Sequence, residues 1–129
     1  MRTIIHTSQA PEAIGPYSQG VCCGDLIFTA GQIPLDPATG KLVEGPFEDQ
    51  VYQVLRNISG ILSATGASSL ENVIKFTVYL TDLNNFAALN KVFERYFSRE
   101  PPARSVVQVA ALPLGAEVEI EAVALREGT

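Results

Sequence analysis

The chain has 129 residues, 47% of them hydrophobic and 18% charged. That length suits one domain, residues 1–129, and the composition excludes intrinsic disorder. Nine Lys and Arg against 14 Asp and Glu give a net charge of −5, with no basic run for a phosphate backbone, so a nucleic-acid partner is not expected. In chain order, Arg2–Thr7 reads as a short strand, followed by a loop over Ala10–Tyr17. Ser18–Cys23 and Leu26–Gln32 are strand-like runs separated by Gly24-Asp25, a hairpin signal. Pro34, Pro37, Gly40 and Gly45 punctuate a loop. Phe47, Val51, Val54, Leu55, Ile58, Ile61 and Leu62 recur at three- and four-residue steps. They predict a helix over Phe47–Thr65 that stops at Gly66 and is slightly weakened by Gly60. Val73–Leu80, rich in β-branched and aromatic residues, predicts a strand. Asp82 is a good N-cap for a second helix over Leu83–Phe97, with Phe86, Leu89, Asn90, Phe93 and Phe97 on one face. Pro101-Pro102 ends it. Arg104–Val109 predicts a strand and Leu112–Gly115 a turn. Glu117–Leu125 alternates strictly, with Val118, Ile120, Ala122 and Ala124 to one side and Glu117, Glu119 and Glu121 to the other.

The order β-β-β-α-β-α-β-β predicts an α+β domain, a mixed β-sheet with both helices packed on one face. The opposite face is left uncovered, which invites self-association. A short turn between the last two strands suggests an antiparallel hairpin with Arg104 opposite Glu119–Glu121. No apolar run approaches the ~18 residues of a membrane span, and the N-terminal stretch lacks the apolar core of a signal peptide. A cytoplasmic chain without a membrane partner is expected. Cys22 and Cys23 are adjacent and point to opposite strand faces, so they read as reduced thiols.

The inventory of reactive groups is small. The one histidine, His6, has no motif tying it to a nucleophile. One His and two back-to-back Cys do not supply a zinc site, and no metal or cofactor is expected. Ala38-Thr-Gly-Lys41 lacks the earlier glycine and the following helix of a phosphate loop. Asn57-Ile-Ser59 fits a glycosylation sequon but falls inside a predicted helix. Arg104 and the three glutamates remain. They form either a surface charge ladder with Arg104 as counter-ion, or a guanidinium fork for a substrate carboxylate with one glutamate handling a proton or a water.

Five segments then carry a resemblance over nearly the whole chain: Ala13-Ile-Gly-Pro-Tyr-Ser-Gln19, Ala30-Gly-Gln-Ile-Pro34, Asp82-Leu-Asn-Asn-Phe86, Pro102-Ala-Arg-Ser105 and Glu119-Ile-Glu-Ala122. In order and spacing they resemble the Rid (YjgF-like) family, the 2-iminobutanoate/2-iminopropanoate deaminases. The resemblance implies a chorismate-mutase-like fold and a homotrimer with active sites in clefts between subunits. It implies hydrolysis of small imino acids to 2-oxo acids and ammonia, without a cofactor. By the motif match, Arg104 binds the substrate carboxylate and Glu119 is associated with the hydrolytic water. Tyr17, Gly31, Gln32, Phe86 and Asn90 line the cleft. Many members carry Ser where this chain has Ala30, and some carry Cys where it has Val106. The hydroxyl is therefore missing at position 30, while Val106 can still offer its backbone carbonyl. An imine is already electrophilic, so orientation, charge stabilisation and a placed water suffice. Two other functions are weighed against this. One is an endoribonuclease or translation inhibitor, which the net charge disfavours. The other is a non-catalytic ligand-binding or holdase-like trimer, which would keep Arg104 but not need Glu119.

Overall fold

A computed structural model describes residues 1–66 and 68–126. Six strands and two helices follow the predicted order: β1 (Arg2–Ile5), β2 (Gly20–Cys23), β3 (Leu26–Thr29), α1 (Phe47–Ser63), β4 (Val73–Leu80), α2 (Phe86–Tyr96), β5 (Ala103–Gln108) and β6 (Val118–Leu125). The strands form one sheet in the order β1-β2-β3-β6-β4-β5. All neighbours are antiparallel except β4 and β5, which run parallel because α2 carries the chain back between them.

Helix α1 begins after Pro46, with Glu48 and Asp49 in its first turn facing the positive end of the helix dipole. Its apolar stripe, Val51, Val54, Leu55, Ile58, Ile61 and Leu62, is fully buried. Helix α2 adds Leu89, Val92 and Phe93 to the same core, which the sheet completes with Ile27, Phe76, Val78, Leu80, Val118, Ile120, Ala122 and Ala124. Gly60 has a packing reason to be there: a Cβ at that position would sit 2.3 Å from the carbonyl oxygen of Gln9. The N-terminal loop lies directly on the helix, and any side chain at position 60 would push it off.

Three expectations need correction. Asp82 does not cap α2. Its side chain accepts from the Asn84 amide and caps a separate 3₁₀ turn, Leu83–Asn85, so the helix proper starts at Phe86. Glu117 lies outside the outward-facing row: β6 starts at Val118, and the Glu117 carboxylate accepts from Gln50 Nε2 of α1 at 2.8 Å. The third concerns the last two strands, which do not pair. Strand β4 lies between them, and β5 forms the edge of the sheet. The physical reason is burial. Val118, Ile120, Ala122 and Ala124 are at most 3% exposed, and only a central strand can bury such a row completely. Strand β5 has no fully buried residue and can stand at the edge.

The helix-free face of the sheet is uncovered, as the pattern predicts. Ile4, Phe28 and Val107 stand there 50%, 44% and 44% exposed. Cys22 is buried and Cys23 exposed, with both thiols free. No helix among the described residues is long and apolar enough to cross a membrane.

Candidate active site

The sequence-predicted site residues fall into two groups on opposite faces of the sheet. Register decides the faces. Arg104 is opposite Phe76, which in turn is opposite Ala122, so all three side chains point toward the helices. Glu119 is opposite Tyr79 and Glu121 opposite Thr77, on the uncovered face. With β4 between their strands, Arg104 and Glu119 of one chain face away from each other.

The first group is built around Arg104. Its guanidinium donates from Nη2 to Asn90 Oδ1 at 2.7 Å. It lies under two rings of α2, with Cζ 4.9 Å from the centroid of Phe93 and 5.5 Å from that of Phe86. Asn90 and Phe86 are four residues apart, as are Phe97 and Phe93, so one helix face supplies the whole cradle. Phe93 and Phe97 also pack on Phe76, with centroids 5.3 Å apart in both pairs, which stiffens the wall. Burial lowers the Arg104 pKa below its ordinary value, but so basic a group stays charged at neutral pH. One terminal nitrogen is engaged by Asn90, and the rest of the planar fork remains for a carboxylate. A groove of ≈ 430 Å³ opens beside it, between Asn90, Phe93, Phe97, Pro101 and Pro102. Val106 follows two residues on, partly buried against the core, on the edge strand whose outer side has no partner strand among the described residues.

The second group surrounds Glu119, which lines a small cleft with Tyr17, Gly31, Gln32 and Glu12. Backbone bonds clamp the residues after β3 onto β6. The Gln32 amide donates to the Ile120 carbonyl at 2.8 Å, and the Ile120 amide donates back at 3.0 Å. This brings Gly31 so close to Glu119 that an added Cβ would meet Oε2 at 2.1 Å. Any side chain at position 31 would force the Glu119 carboxyl to turn away from its resting place. Burial first, and the Glu121 carboxylate second, hold the Glu119 pKa above its ordinary value. Tyr17 is half-exposed, and its hydroxyl accepts from the Ile14 amide at 3.2 Å. The loop that carries it is pinned by buried Gln19. Gln19 Oε1 accepts from the Thr7 amide at 2.7 Å, and Nε2 donates to the carbonyls of Ala10 and Pro11 at 3.2 and 2.8 Å.

The structure thus brings Tyr17, Gly31 and Gln32 to Glu119, and Phe86, Asn90 and Val106 to Arg104, but not the two groups to each other. Three contributors escaped the sequence reading. Phe93 is the nearer of the two rings on Arg104; the helical spacing puts it on the face of Phe86 and Asn90 but says nothing of a guanidinium against it. Gln19 belongs to a quoted motif, but nothing in the motif says that an amide pins a loop. Tyr79 reads as an ordinary strand aromatic, yet its hydroxyl donates to Glu121 Oε1 at 2.8 Å. Asn57, which fits a sequon, is fully buried and donates to the Ile33 and Leu35 carbonyls at 3.3 and 2.9 Å. His6 lies 3.5 Å from the exposed carboxylate of Glu12. No cluster of three or more His, Cys, Asp or Glu able to hold a metal occurs among the described residues.

Residues 7–126 match the family model described as endoribonuclease L-PSP. A RutC family protein of Pyrococcus horikoshii is 51% identical over 127 residues, covering 98% of this chain and 100% of that protein. The 2-iminobutanoate/2-iminopropanoate deaminase of Capra hircus is 49% identical over 126 residues, covering 98% of this chain and 91% of the enzyme. Among solved structures, E. coli TdcF with bound serine superposes with a TM-score of 0.90 at 46% identity, covering 97% of this chain and 99% of that one. The sheet and its two helices have the YjgF-type, chorismate-mutase-like fold of such neighbours.

Proposed function

We propose that this chain, which belongs to the endoribonuclease L-PSP family of YjgF/Rid proteins, hydrolyses small 2-imino acids to 2-oxo acids and ammonia. The observation that carries the reading is the pair of half-sites: a guanidinium fork in an aromatic cradle, and a carboxylic acid of raised proton affinity packed against Gly31. Two relatives support the substrate class. The goat protein is named a 2-iminobutanoate/2-iminopropanoate deaminase, and TdcF holds serine, an amino acid with the same α-carboxylate. The family model is itself described as an endoribonuclease, but a net charge of −5 with no basic run weighs against that second reading.

The reaction follows from the groups available. Arg104 binds the substrate carboxylate through the nitrogens that Asn90 leaves open. Glu119, ionised, takes a proton from a water as its oxygen bonds to the imine carbon and the C=N π pair moves to nitrogen. The protonated Glu119 then returns that proton to the amine nitrogen. Glu119 next takes the proton of the new hydroxyl and passes it to the amine nitrogen as the C–N bond breaks, the C=O forms and ammonia leaves. A carboxyl whose proton affinity is raised by burial suits a group that must first accept and then donate.

Completing the site takes two copies of the chain. Arg104 and Glu119 point to opposite faces of one sheet, so Glu119 would be delivered by a neighbour in a homotrimer packed through the uncovered faces. The exposed apolar side chains Ile4, Phe28 and Val107 fit that burial. Cytoplasmic location and independence of any cofactor belong to the same reading.

The test is release of 2-oxo acid and ammonia from freshly generated 2-iminobutanoate. The wild-type protein should accelerate it well beyond buffer. Glu119→Gln should lower turnover by roughly 10²–10⁴-fold with little change in KM, because Gln keeps the shape but cannot take a proton. No acceleration by the wild-type protein would overturn the reading.

A further inference from the structure

Glu119 does not stand alone on its face of the sheet. Tyr79 is its direct cross-strand partner, and Thr77 is the partner of Glu121. The Tyr79 phenol passes over Glu119's place in the ladder and reaches the diagonal carboxylate instead, donating to Glu121 Oε1 at 2.8 Å. Diagonal neighbours lie about 7–8 Å apart, within the span of a tyrosine. This bond fixes the direction of the Glu121 side chain. The bond to Glu121 is the chief reason that the Tyr79 pKa is raised, so the phenol stays a neutral donor at physiological pH.

The rest of the surroundings make this negative charge count. Across the cleft, Glu119 faces Tyr17 and Glu12, and no Lys or Arg is among the described residues lining it. Lys75, on the same sheet face, is turned to Ser105 Oγ at 3.1 Å on the edge strand. Within the chain, Glu121 and burial are what act on Glu119.

We propose that Tyr79 is a positioning residue for Glu119: by holding Glu121 across the ladder, it keeps a second carboxylate in place beside the proton carrier. The inference rests on Glu119 acting as the base. Tyr79 touches neither substrate nor water. It works through Glu121, and so tunes the pH range in which Glu119 exchanges its proton.

Tyr79→Phe removes one hydroxyl and keeps the ring. Glu121 then loses its tether, and its repulsion of Glu119 weakens. The base should release its proton more readily, and the acid limb of kcat/KM should move to lower pH by roughly half a unit to one unit. The titration midpoint of the Glu119 carboxyl carbon, followed by ¹³C NMR in the assembled protein, should move the same way. Glu121→Gln, which deletes the charge itself, should shift both at least as far. A purely structural role for Tyr79 would lower the melting temperature and leave both midpoints in place, and that result overturns the proposal. A shift to higher pH overturns it too. Full turnover in Glu119→Gln would instead overturn the base assignment, and the NMR midpoint would still judge Tyr79's hold on the pair.

Discussion

Two inactive variants of this protein should restore each other when mixed. Arg104→Ala removes the carboxylate anchor. Truncating one partner of a desolvated charge pair costs roughly 2–5 kcal/mol, or about 30- to 5000-fold in kcat/KM. Glu119→Gln removes the proton carrier. If each site takes Arg104 from one chain and Glu119 from the next, the Glu119→Gln chain still has a sound Arg104, and the Arg104→Ala chain a sound Glu119. In an equal, randomly reassembled mixture, a site works when its arginine comes from the first variant and its glutamate from the second. Each condition holds for half of the chains, so about one site in four is intact and about a quarter of wild-type activity returns. The assay is 2-oxo acid release after co-refolding or co-expression of the two variants, with mixed assemblies verified by native mass spectrometry. Zero recovery in verified mixed assemblies would mean that both residues serve a site within one chain. That would refute the argument from the two sheet faces.

Two further substitutions probe the half-sites separately. Arg104→Lys keeps the charge but loses the planar fork and the Asn90 bond at 2.7 Å. It should rise in KM and fall in kcat/KM by at least tenfold, and near-normal kinetics would show that a nearby positive charge suffices. Gly31→Ala would place a Cβ 2.1 Å from Glu119 Oε2 and force the carboxyl to turn. Displacement of this order can cost roughly 10²-fold in turnover, while a thermal melt should show the fold intact. Unchanged kcat in that variant would mean that the resting place of Glu119 does not matter to the chemistry.

The fold was legible wherever burial imposes a period. Val73–Leu80 begins and ends where the β-branched run does, and α1 follows its apolar stripe to within two residues of the expected end. Boundaries failed where the backbone, not the core, decides. The residues from Ala30 to Gln32 read as strand, but β3 ends at Thr29, and Gln32 rejoins only through an isolated bridge to Ile120. The Asp82 cap signal was real but served a 3₁₀ turn, because capping chemistry is local and does not say how long the following helix runs.

The candidate residues could be read from the sequence but their arrangement could not, and strand pairing explains why. Alternation along one strand tells which side chains share a face, but not how that face relates to the face of another strand. That relation depends on which strands are neighbours. A hairpin between the last two strands would have put Arg104 beside the glutamates as their counter-ion. The insertion of β4 between them, driven by the complete burial that only a central β6 can achieve, turns Arg104 into the helix layer under Phe93 and leaves Glu119 on the open face. The charge-ladder reading therefore fails in one chain: the guanidinium answers none of the carboxylates there, and Tyr79 answers Glu121 instead. Two half-buried, oppositely charged groups that cannot meet at home are what a site shared between copies requires of a single chain.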